Sequence, residues 1–161
     1  MLAVEGLAVA FCDAAERRGL EPDRTFVQAG ALLHDIGRTQ VQDVRHASVG
    51  AEILRGDGSW PPALVHVVER HTGAGIDAEE AARLKIPVKD YTPHSLEERI
   101  VCHADNLFTG DRRIPVAQLQ AAYRGKGLEA AAAKLGALHE SLGRELGADL
   151  DRLPSVSLPP P

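Results

Sequence analysis

An all-α fold, a compact single-domain helical bundle of about six to eight helices, is predicted by three features of the sequence. Aromatic residues make up 4% of the 161 residues, and alanine is abundant throughout. No Asn-Gly or Asp-Gly pair sits between alternating apolar runs, where a hairpin would need one.

The first helix is expected from about Leu2 to Arg18, stopped by Gly19, with Leu2, Leu7, Val9, Ala10, Phe11 and Ala14 at near-helical spacing. A second begins after Pro22 with Asp23 as N-cap, carries Phe26, Val27, Ala31, Leu32 and Leu33, and stops at Gly37, so His34 and Asp35 fall on its last turn. A third spans about His46 to Arg55 before the Gly56-Asp57-Gly58 turn. A fourth follows Pro61-Pro62 and reaches His71, ending at Gly73. A short helix near Asp77 to Leu84 precedes a loop over Lys85 to His94, where Pro87 and Pro93 disfavour helix. Ser95-Leu96-Glu97-Glu98 has capping-box spacing and opens a helix bearing Ile100, Val101, Ala104, Asp105, Leu107 and Phe108. Alanine-rich amphipathic helices follow over about Val116 to Tyr123 and Leu128 to Leu146. The expected domain is 1–150, with its motifs in 5–110, C-terminal helices in 115–147 and an extended tail over 151–161.

A net charge of −5 argues against broad electrostatic capture of nucleic acid or anionic membrane. Cys12 and Cys102 lie in apolar helical patterns without CxxC spacing, which suits reduced buried thiols. The start has no basic signal region, and no stretch approaches the roughly 20 apolar residues of a membrane span, so the expected location is cytoplasmic, with no membrane partner.

His34-Asp35 places an imidazole and a carboxylate side by side at a helix end. Alone, such a pair is most often a cap or a surface hydrogen bond. Here His46 begins the next helix, His71 ends the one after, and Asp105 lies in a helix otherwise apolar, where an unpaired carboxylate is costly to bury. Imidazole nitrogens with carboxylate oxygens suit a divalent cation, with zinc, manganese, iron, cobalt and nickel favoured and magnesium as a further choice. His66, His94, His103 and His139 are expected to lie outside this site.

His34-Asp35-Ile36-Gly37, preceded by Gly30-Ala31-Leu32-Leu33, resembles the HDIG signature of the HD superfamily of helical, metal-dependent phosphohydrolases. His46-Ala47-Ser48-Val49-Gly50-Ala51, Glu69-Arg70-His71-Thr72-Gly73-Ala74-Gly75 and Ile100-Val101-Cys102-His103-Ala104-Asp105-Asn106-Leu107 resemble later motifs of that superfamily, in order. Across roughly residues 5 to 110 the chain is similar to an uncharacterised, mainly archaeal HDIG family. The resemblance implies one or two divalent ions, with His34, Asp35 and Asp105 on one, Asp35 bridging, and His46 and His71 on a second. Where the family has a histidine on the first helix this chain has Glu5, an oxygen ligand of the kind used by HD-GYP phosphodiesterases; a shifted alignment, a lost ligand and a shortened start are the alternatives.

The activity the resemblance implies is hydrolysis of a phosphate ester or anhydride in a nucleotide or related small phosphorylated molecule by a metal-activated water. Asp35 would be catalytic with the metals; Arg38, directly after the signature, is a candidate phosphate clamp, with a cation favourable at a helix C-terminus as its equal alternative, and Thr72 and Asn106 are further candidate substrate contacts. A non-catalytic nucleotide-binding regulatory module and a mixed-valence di-iron oxygenase are the alternatives on the same scaffold. No extended nucleic-acid binding is expected, and the last helix leaves room for a homodimer.

Overall fold

The computed structural model describes residues 2–155. Eight α-helices carry these residues: α1 (Leu2–Arg17), α2 (Arg24–Leu33), α3 (His46–Asp57), α4 (Pro62–Glu69), α5 (Ala78–Leu84), α6 (Leu96–Asn106), α7 (Val116–Arg124) and α8 (Glu129–Leu146). The all-α expectation holds.

The central element is α1. Every residue from Val4 to Cys12 is buried, so the helix is enclosed on nearly all sides, which is why its apolar pattern shows no sharp stripe. Leu7, Phe11 and Ala15 meet Val27 and Ala31 of α2, Val67 of α4, Ile100, Val101 and Ala104 of α6, and Leu142 and Leu146 of α8 in one continuous core. Close approach of α2 to α4 depends on Gly30, where an added Cβ would stand 2.4 Å from Val67 Cγ1. Both cysteines are buried and free.

Several boundaries differ from the sequence expectation for identifiable reasons. The second helix ends at Leu33, short of Gly37, and Ile36–Thr39 forms a 3₁₀ turn instead. A Cβ on Gly37 would lie 1.9 Å from the His46 carbonyl oxygen and 2.6 Å from Gly50 N, so this turn packs backbone against backbone on α3. Helix α4 stops at Glu69, leaving His71 on the following loop. Ser95 caps α6 by accepting from Glu98 N, but the Glu98 carboxylate accepts from His94 N rather than closing the box on Ser95.

A two-stranded hairpin, β1 (Phe108–Thr109) with β2 (Arg112–Arg113), was not expected. It turns through Gly110 at φ +64°. The chain expected to leave the fold at residue 151 is tied down further: Arg113 donates to the carbonyls of Leu150 and Leu153, and Asp151 accepts from Val116 N. The rest of the expected tail, residues 156–161, lies outside the described residues. No helix among the described residues is long and apolar enough to cross a membrane.

Candidate metal centre

Three histidines are oriented the same way by their backbones. The Nδ1–H of His34 donates to Ala31 O at 2.7 Å, that of His46 to Asp43 O at 2.7 Å, and that of His71 to Val68 O at 2.6 Å. Each ring therefore spends one nitrogen on the carbonyl three residues upstream and turns Nε2, a lone-pair acceptor in the neutral ring, toward a common point. The tautomer follows from those bonds. His34 caps the end of α2, His46 opens α3, and His71 follows α4 on a loop anchored because its neighbour Arg70 reaches both Glu98 oxygens, at 3.1 and 3.0 Å.

Asp35 sits among them. Its Oδ1 lies 3.2 Å from His46 Nε2 and 3.9 Å from His71 Nε2, while its Oδ2 lies 3.6 Å from His34 Nε2. Asp105 Oδ1 is 3.3 Å from His34 Nε2. One ligand atom each from Asp35, His46 and His71 falls within a 4.8 Å group. Nearly every contact here sets acceptor against acceptor, an arrangement stable only with a proton or a cation between them. The donor set fits a divalent metal.

The electrostatics agree. Burial works against the charged form of Asp35, but His46, His34 and Arg38 together hold its carboxyl well below the usual range. Burial likewise disfavours a charged His34, yet Asp105 and Asp35 outweigh it and raise its pKa. Asp105 is lowered because His34 more than offsets its desolvation. His71 is enclosed and flanked by His34, and its pKa falls to about 4, so it stays neutral and available as a ligand.

The remaining expected site residues divide. Arg38 lines the cleft, but its Nε is engaged by Asp35 Oδ1 at 2.6 Å. Thr72 also lines it, with a buried Oγ1 that has no hydrogen-bond partner. Asn106 Nδ2 donates to Gly73 O at 2.6 Å, so its amide nitrogen holds the loop after His71. Glu5 is buried on α1 but makes no ion pair with His34, His46 or His71. Asp105 is one-third exposed, facing the cleft, so the cost of burying it fully does not arise. Among the histidines expected elsewhere, His103 Nε2 pairs with His139 Nδ1 at 2.9 Å and His94 lies 3.3 Å from Asp90.

The cleft, of about 210 Å³, is also lined by Phe108, Leu119 and Tyr123, which sequence reasoning missed. Phe108 directly follows the last motif, on β1, while Leu119 and Tyr123 lie beyond the motifs and reach the His–Asp cluster through the placement of α7.

The family model described as the HD domain matches residues 1–110. The chain is 52% identical over 131 residues to a tRNA (cytidine(56)-2'-O)-methyltransferase of Thermoplasma volcanium, covering 81% of this chain and 38% of that protein. A protein of the same name from Picrophilus torridus is 53% identical over 129 residues, covering 80% and 38%. An uncharacterised protein of Methanocaldococcus jannaschii is 48% identical over 115 residues, 71% of this chain and 68% of that one. No solved structure matches the chain. The chain thus spans a little over a third of the length of the two methyltransferases.

These relatives correct the expected activity and partners. Their name denotes methyl transfer, not hydrolysis of a phosphate ester or anhydride, and its substrate is tRNA, not a small phosphorylated molecule. A phosphohydrolase that avoids extended nucleic acid does not fit them. The metal expectation is kept in its general form, since the HD domain implies metal binding and Asp35, His46 and His71 offer a suitable group. With the match covering well over half of its residues, including all five of His34, Asp35, His46, His71 and Asp105, the chain belongs to the HD domain family.

Proposed function

We propose that this chain works in the 2'-O-methylation of tRNA, as a metal-holding HD unit that engages the tRNA. The observation that carries this is the identity of about one half to a 38% share of two archaeal tRNA methyltransferases. A stretch that similar keeps its packed core and its site, so its role in them is the best guide to its role here. Placing a methyl donor in line with a ribose hydroxyl is a positioning task. That task falls to the part of such a protein, or to the partner chain, to which this sequence does not correspond.

Within the HD unit, Asp35, His46 and His71 would hold one divalent ion, and His34 with Asp105 a second, Asp35 using one oxygen toward each. The acceptor contacts above support this, and imidazole-rich donor sets favour manganese, iron, cobalt, nickel or zinc over magnesium. Such ions supply a Lewis-acid centre for phosphate or ribose oxygens. Arg38, released from Asp35, would add a guanidinium for phosphate. Glu5 is left out of this ligand set. Residues 1–150 act as one domain in this proposal, with α8 sharing the core of α1 and α6.

The test is to map 2'-O-methylation at cytidine 56 in tRNA from cells with and without this gene, and to measure tRNA binding by the purified, manganese-loaded chain. Loss of the methyl group, restored by the parent gene but not by Asp35→Asn, is the expected result. Unchanged methylation together with no tRNA binding would overturn the proposal.

A further inference from the structure

Beside the metal cluster a second pocket of about 210 Å³ shares Thr72, Gly73 and Tyr123 with the first. Val44, Ile76, Leu84, Leu128 and Ala131 make it apolar. Tyr123, Leu128, Ala131 and Lys134 come from α7, α8 and their connection, beyond the matched 1–110 segment, so this wall is not part of the matched domain.

Four observations point to an occupant. Leu84 and Leu128 are 41% and 48% exposed, an apolar rim that core packing does not explain. Lys85 follows one and Lys126 precedes the other by two residues, and neither has an ion-pair partner among the described residues. By contrast Lys134, inside the pocket, is neutralised by Asp77 and Glu80. Lys85 is also the one non-glycine residue with positive φ among the described residues, at +57°, closing α5 where glycine would be unstrained. Thr72 Oγ1, on the wall common to both pockets, is buried and unpartnered.

We propose that this pocket receives an unpaired base of tRNA. The apolar walls and the Tyr123 ring take the flat base, the Thr72 hydroxyl meets a polar edge, and Lys85 and Lys126 meet flanking phosphates. The sugar-phosphate turns toward the metal cleft. A small apolar slot for one base with cations outside it is how unpaired RNA is held, whereas a duplex presents no free base to fill it. This inference rests on tRNA being the partner under Proposed function.

Fluorescence anisotropy with a labelled tRNA transcript and with a fully paired RNA duplex tests it, using the full manganese-loaded chain. Leu128→Glu, at an exposed position, is expected to weaken tRNA binding roughly fivefold or more while leaving duplex binding unchanged. Lys85→Gly with Lys126→Ala is expected to weaken tRNA binding and to reduce the steepness of its salt dependence by about two, one for each phosphate no longer neutralised. Since glycine suits the left-handed position, Lys85→Gly is expected to fold at least as well as the parent, and weaker binding with an unlowered urea midpoint is then not a folding defect. If the parent binds tRNA and these variants bind it equally well, the pocket is not the base site and the broader proposal stands. If the parent does not bind tRNA, this inference falls, and the broader proposal falls with it when methylation is also unchanged in cells without the gene.

Discussion

The Nε2 atoms of His46 and His71 lie 2.9 Å apart, although each ring has already committed its Nδ1–H to a backbone carbonyl. Two neutral lone pairs repel at that distance, and the fall of the His71 pKa to about 4 leaves its ring a lone-pair donor. A divalent cation between them would resolve the conflict. Removing metal should therefore lower the melting temperature, because a ligand at a hundred times its dissociation constant stabilises by about 2.7 kcal/mol. Elemental analysis should find a divalent metal, and His71→Ala should abolish both the metal and the effect of a chelator on melting. Identical melting curves for manganese-loaded and chelator-treated protein would remove the metal from this centre.

Gly37 and Gly50 let the 3₁₀ turn lie directly on α3, which begins with His46. Gly37→Ala pushes a methyl group into the His46 carbonyl, which cannot move without shifting the His46 ring. A loss of about 3 kcal/mol in urea unfolding is expected, with weakened metal binding. Gly56→Ala is the control: a Cβ there meets nothing within 4 Å, and gain of up to about 1 kcal/mol is expected from reduced chain entropy.

His103 is fully buried against Phe11 and His139, and desolvation, aided by His139, drops its pKa to about 3. The unfolded histidine takes up a proton near pH 6.5, so between there and pH 3 the unfolded chain binds the extra proton. Stability from neutral His103 is thus complete above pH 6.5 and is lost as the pH falls below it. In metal-free protein the parent should lose up to about 1.4 kcal/mol per pH unit more than His103→Leu between pH 6 and 4. Parallel pH profiles from denaturant titrations would contradict this.

Lys85, at φ +57°, carries backbone strain that glycine would relieve. Lys85→Gly should raise the unfolding free energy by roughly 1 kcal/mol, readable as a higher urea midpoint with unchanged slope. A lower midpoint would mean that the lysine side chain contributes packing that offsets the strain.

Among the predictions made from sequence alone, those that rest on local rules fared best. Asp23 and Ser95 cap helices because a short polar side chain before an apolar run satisfies a free backbone N–H, whatever the rest of the fold does. The ends of α2 and α4 were misjudged because both are set by neighbours: α3 cuts α2 short through Gly37, and the Arg70–Glu98 pair takes His71 off the helix. The expected activity is corrected on a different ground: two relatives about half identical bear a tRNA methyltransferase name, and a motif names a set of side chains, not a reaction.

By itself the sequence determined the helical class and the domain family, and it singled out His34, Asp35, His46, His71 and Asp105 as candidates, because residue type and spacing are local properties. Only the tertiary structure decided that Asp35 offers one oxygen to His34 and the other to His46 and His71, and that Glu5 stands apart from them. It alone brought Leu119 and Tyr123 to the cleft beside them. Such distances arise from how separate helices pack, through glycine approaches and buried ion pairs that couple residues far apart in the chain, and no spacing along the sequence encodes them.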